Sequence, residues 1–191
     1  MPIKKSKKVE HKLGYYDEVS FHLSELGRIN LYGVINRESY AHVENGLLYL
    51  TTKYPKKPVT IMMNTPGGSV VDGLALYDAI MRYRERGNSI HIHVEGAAMS
   101  MGVPILQAAT RRTASKHSAF LLHEVGYEVR GTMSNHEDEL EQAAKLQKVV
   151  DKIILDRSNI KPEDLIRLTK RKDYGFTAQE ALKHNLIDAI I

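Results

Sequence analysis

The sequence contains no cysteine, so no disulfide can brace the fold, which agrees with a reducing compartment. No apolar run approaches the roughly 18 residues needed to cross a bilayer. The opening MPIKKSKKVEHK is charged and leads into no apolar stretch, so it is not expected to act as a secretory signal. Together these absences point to a cytoplasmic protein. Internal repeats, low-complexity tracts and signs of a second domain are missing as well. What remains is a chain of 191 residues, 42% hydrophobic and 26% charged, enough for one domain with a substantial core. The net charge of +4 sits wholly in residues 1–12, where five lysines face one glutamate, and the rest of the chain is neutral. A basic segment on a neutral body argues against nucleic acid as a partner.

Residues 1–27 are mixed and polar, and a flexible or partner-dependent start is expected there. From residue 28 onward the pattern alternates. RINLYGV (28–34) reads as a strand. Residues 38–53 carry Val43, Leu47 and Leu50 at helical spacing, with Asn36 placed to cap them. PVTIMMN (58–64) is nearly continuous in apolar residues, as expected for a strand covered on both faces. A helix with Val70, Leu74, Tyr77 and Met81 on one stripe should follow and stop at Gly87. Residues 89–95 read as a third strand and 99–109 as a third helix. Strands alternating with helices indicate an α/β domain with parallel pairing.

The second half changes character. Residues 119–124 form a short strand ending at His123, and a polar stretch bounded by Gly126 and Gly131 follows. Ser134-Asn-His-Glu137 has the form of a capping box for a helix running to about Arg157, with Ala143, Leu146, Val150 and Ile153 as its stripe. At 1.5 Å per residue it would be about 35 Å long, close to the width of the domain, so it should protrude and bury that stripe on another subunit. Pro162 starts a shorter helix, and Thr177-Ala-Gln-Glu180 is a second capping box.

Three features carry chemistry. Ser100, in GAAMSMG, sits at a strand-to-helix turn where Ala97, Ala98 and Gly102 leave room for a sharp bend. NTPGGS (64–69) ends the second strand with two adjacent glycines, whose backbone N–H groups, with that of Met101, could hold a developing oxyanion. His123 stands where an apolar strand leaves the core. Each has an ordinary explanation on its own: a helix cap, a tight turn, a structural histidine. Their joint occurrence is harder to explain that way. His91 and His93 share a strand face, but no third ligand has suitable spacing, so no metal site is expected.

NTPGGSVVDGLALYDAI, followed by GAAMSMGVPILQAA and then LLHEV, resembles the ClpP family, the proteolytic component of Clp proteases, in order and spacing. The family's next element, an aspartate before F-[LM]-S-A-x-E-A, is matched by KDYGFTAQEA, which makes the aspartate Asp173. The resemblance covers residues 28–191 and implies a ClpP/crotonase-like α/β fold, a βα-unit head with a protruding helical handle. It implies a serine endopeptidase with Ser100 as nucleophile, His123 as base and Asp173 as its orienting carboxylate; were Asp173 dispensable, Glu124 or Asp188 would be the next candidates. The oxyanion would rest on the N–H groups of Gly68 and Met101. No cofactor or metal is implied. The implied partners are unfolded polypeptides, further copies in stacked seven-membered rings, and a Clp-type AAA+ ATPase. Met99 stands where the family has alanine, and the proline after H-Q is absent. Three other readings share parts of this pattern: a relative specialised for phage capsid maturation or ATPase-independent cleavage, a crotonase-like acyl-CoA enzyme, and an inactive ring subunit.

Overall fold

The computed structural model describes residues 22, 23 and 25–191, so most of the polar start, residues 1–21 and 24, lies outside the described residues. Five strands form a parallel sheet in the order β1 (Arg28–Tyr32), β2 (Val59–Thr65), β3 (Ile90–Met99), β4 (Arg111–Ala114) and β7 (Ala189–Ile190). Two more, β5 (Ala119–Leu122) and β6 (Tyr174–Thr177), are antiparallel to each other and attach through β5 to the far end of β3. The chain is thus a mixed α/β domain with a mostly parallel sheet, as the sequence pattern implies.

The helices cover mainly one face of the sheet. In β2, Val59, Ile61, Met63 and Thr65 are buried while Thr60 and Met62 are only half-buried, so within this chain the expected cover on both faces is full on one and partial on the other. The buried face packs on α1 (Arg37–Lys53) and α2 (Val70–Glu85). Helix α1 buries the anticipated Val43, Leu47 and Leu50, and Asn36 closes a full capping box with Ser39. In α2 the anticipated stripe sits at the edge. Val70, Leu74, Tyr77 and Met81 are half-buried, and the inward face is Gly73, Leu76, Ala79, Ile80 and Tyr83. Gly73 fits this rotation: a Cβ there would lie 2.6 Å from the Met101 side chain, so the first turns can approach closely only through a glycine.

Strand β3 carries the site. Residues 91–94 pair with β4, but 97–99 pair with β5, and the register against β2 slips between Met63 and Thr65. The slip falls at Gly96 (φ +107), where Asn64 accepts a hydrogen bond from the Ala97 N–H at 3.1 Å. The third helix is therefore shorter than expected: β3 continues through Met99, and α3 spans only Gly102–Gln107.

Helix α4 (Met133–Arg157) is capped by Thr132, which exchanges hydrogen bonds with Asn135, so Ser134-x-x-Glu137 lies inside the first turn rather than at the cap. Residues 131–142 are all exposed and form the projecting part. The stripe beyond them is used within the chain: Ala143, Val150, Ile153 and Ile154 are buried and Leu146 half-buried, so it does not await a second subunit as expected. Two short helices follow, α5 (Pro162–Thr169) and α6 (Ala178–Lys183). The latter is capped by Thr177 with Glu180, as the sequence indicated.

One buried cation clasps the far side. Arg112 donates to Gln107 Oε1 at 2.6 Å and to the carbonyls of Arg157 and Asn185 at 2.9 and 3.0 Å, and it pairs with Asp188. Burial alone would push the Asp188 carboxyl up. Its hydrogen bonds and charge contact with Arg112 outweigh this and hold it below the ordinary carboxylate value. Arg112→Leu should lower the unfolding free energy by about 3 kcal/mol or more, because it strands a carboxylate and three acceptors. Urea denaturation checks this, and a loss under about 1 kcal/mol would refute the clasp. The Asp188 carboxylate contributes above its unfolded-state pKa, and that contribution fades as pH falls through the lowered folded-state value.

Candidate active site

Ser100 follows the last residue of β3. Its N–H donates to the Leu121 carbonyl at 2.8 Å, and its own carbonyl accepts from Val103 N–H at 3.1 Å. Between these anchors its φ is +51, a left-handed conformation that a serine adopts at a cost of about 1 kcal/mol or more. The turn throws the side chain off the end of the strand. Gly67 makes room for it: a Cβ at Gly67 would lie 2.5 Å from Ser100 Cβ and 2.8 Å from the Met99 carbonyl.

The same strand that anchors Ser100 delivers the imidazole. Leu121 pairs with Met99, and two residues later His123 leaves β5 half-buried, with Nε2 2.7 Å from Ser100 Oγ. An imidazole at that distance can take the hydroxyl proton as the oxygen attacks. The glycine pair lies alongside. Ile35 donates to the Gly67 carbonyl and accepts from Ser69 N–H, both at 2.8 Å, and forms an isolated parallel bridge with Gly68. Gly68 (φ +151) would put a Cβ 2.3 Å from the Ile35 carbonyl. Among the described residues the N–H groups of Gly68 and Met101 donate to no acceptor. Two such amides beside a hydroxyl can stabilise a developing oxyanion.

Asp173 is less engaged. It is exposed, and among the described residues no hydrogen bond or ion pair reaches it. Its position is nonetheless defined. Leu122 pairs with Tyr174, and continuing the antiparallel register by one residue sets Asp173 opposite His123. The turn before it is held by Glu124, whose carboxylate accepts from the N–H of Arg171 at 2.9 Å. Asp188, just before β7, is ruled out as a substitute by its commitment to Arg112 near the start of β4. His93 hydrogen-bonds to the hydroxyls of Thr113 and Ser115, and His91 to that of Ser89, so both strand histidines have structural partners. Burial pushes both imidazoles below their ordinary value.

A cavity of about 350 Å³ opens beside Ser100 and His123. One wall is the segment from Glu124 to Gly126, and the other is the face of α4 bearing Gln147, Val150, Asp151 and Ile154. Sequence reasoning missed this wall and the Ile35 and Leu121 anchors. All of them act across long stretches of chain and leave no local pattern.

The model of the family described as Clp protease matches residues 11–191. The chain belongs to the Clp protease family. Proteins similar to it include the ATP-dependent Clp protease proteolytic subunit 3 of Synechococcus sp. (strain CC9605), 34% identical over 148 residues that cover 76% of this chain and 72% of that one. The ATP-dependent Clp protease proteolytic subunit 2 of Chlamydia pneumoniae is 32% identical over 147 residues, 76% of this chain and 70% of that one. Membership of the Clp protease family makes a peptidase the expected activity, and the residues around Ser100 are where its chemistry has to be sought. Among the described residues no helix is long and apolar enough to cross a membrane.

Proposed function

We propose that the protein is a ClpP-type serine endopeptidase that cleaves unfolded polypeptides or peptides by an acyl-enzyme mechanism. The observation that carries this reading is the 2.7 Å contact between Ser100 Oγ and His123 Nε2 beside two undonated backbone amides. Ser100 Oγ attacks the scissile carbonyl carbon while His123 Nε2 takes the hydroxyl proton. The carbonyl oxygen becomes an oxyanion held by the N–H groups of Gly68 and Met101. The tetrahedral intermediate collapses, the C–N bond breaks, and His123 gives its proton to the leaving amine. Water then attacks the acyl carbon, losing its proton to His123, and the carboxylic product leaves as Ser100 is reprotonated. Asp173 fixes the imidazole tautomer and stabilises the imidazolium.

Substrate enters as an extended segment along residues 124–130, which have no regular structure and of which Glu124, Val125 and Gly126 line the cavity. The names of the relatives describe proteolytic subunits of an ATP-dependent protease. In this reading the chain assembles with further copies of itself as stacked rings and receives substrate from a Clp-type ATPase in the cytoplasm. A fluorophosphonate probe, which phosphonylates activated serines, tests the chemistry. The assembled protein should acquire one adduct at Ser100, located by peptide mass spectrometry. An assembled fraction that stays unlabelled would refute the reading.

A further inference from the structure

The cavity beside Ser100 has apolar walls but an acidic end. Leu122, Val150, Ile154 and Leu165 supply the apolar surface. Asp151 projects from the face of α4 one turn beyond Gln147, and both side chains are half-buried. Gln147 holds it in place: Oε1 accepts from Val125 N–H at 2.6 Å, and Nε2 donates to Asp151 Oδ1 at 2.7 Å. The second carboxylate oxygen of Asp151 has no partner among the described residues, and no ion pair involves it. The cavity lining includes a second acid, Glu124, and neither lysine nor arginine.

We infer that Asp151 is a specificity residue: this cavity receives the side chain on the acyl side of the scissile bond and selects lysine or arginine there. The inference deepens the serine-peptidase reading and rests on it. A half-buried carboxylate with no cation nearby is poorly solvated, and an apolar side chain filling the cavity would strip it further. Burial already pushes the Asp151 carboxyl above its ordinary value, Glu124 adds to the push, and the Gln147 bond opposes it. A basic side chain resolves the conflict. Its methylene stem lies along Val150, Ile154 and Leu122 while its charged end reaches the free oxygen of Asp151. The fixed Gln147 bridge means the carboxylate need not be reorganised when the substrate arrives.

The test uses the assembled protein and fluorogenic peptides that differ only in the residue before the scissile bond. Lysine and arginine should exceed leucine and phenylalanine by about tenfold or more in kcat/KM. Asp151→Asn keeps the volume and the Gln147 contact but removes the charge. It should erase most of that ratio while the rate of fluorophosphonate labelling at Ser100 stays within about twofold of wild type. Labelling of wild type together with a preference for leucine, or an unchanged ratio in Asp151→Asn, overturns this inference and leaves the peptidase reading standing. Absence of both labelling and cleavage overturns the peptidase reading, and the inference falls with it.

Discussion

Ser100→Ala should reduce peptide cleavage by about four to six orders of magnitude without disturbing the fold. The size of the loss follows from what the hydroxyl does. In the proposed mechanism it is the atom that forms the covalent intermediate, and none of its neighbours could take over: Gly67, Met99 and Met101 offer no nucleophile. On the proposed mechanism the residual activity would reflect the amides of Gly68 and Met101 and the cavity, which could still bind and polarise a substrate. Stability should hardly change, because the backbone of residue 100 is fixed by main-chain hydrogen bonds to Leu121 and Val103 rather than by its side chain. Circular dichroism and the oligomer profile should match wild type. Activity within tenfold of wild type would mean that the hydroxyl is not the nucleophile.

On the proposed mechanism Asp173→Asn should lower turnover by about 10⁴, the loss expected when a carboxylate that selects the histidine tautomer becomes an amide. The residue lies across β5 and β6 from His123 by register, yet its side chain is unengaged among the described residues. The proposed role would require the Asp173 side chain to turn toward the imidazole, so the assembled protein is where the variant has to be assayed. Glu124→Gln is the informative companion. Its carboxylate supports the Arg171 turn that precedes Asp173, so its loss should cost far less. Near-normal turnover in Asp173→Asn with a severe defect in Glu124→Gln would transfer the third role to Glu124. Steady-state kcat and KM on one fluorogenic peptide separate these outcomes.

Elements whose cause is local were readable from the sequence. Asn36 and Thr177 begin their helices because a side-chain oxygen needs only the amide three residues on. The cap of α4 was misplaced because Thr132-x-x-Asn135 and Ser134-x-x-Glu137 overlap, and short-range chemistry does not choose between them. Ala97, Ala98 and Met99 favour helix by propensity, but pairing with residues 119–121 makes them strand. The order of the serine, the glycine pair and the histidine was legible as a pattern. The cavity wall was not, because Asp151 and Gln147 meet the site only through the packing of α4, some fifty residues after the serine.

The fit of Gly67 against Ser100 has a broader consequence. Since even a methyl group at residue 67 would land on the serine β-carbon, the amide loop and the hydroxyl turn behave as one stiff block of main chain. The spacing between the Ser100 hydroxyl and the amides of Gly68 and Met101 is therefore built in once, when the chain folds. The imidazole and Asp173 ride on a different part of the sheet, the β5–β6 pair, so their placement depends on packing that this main-chain block does not itself fix.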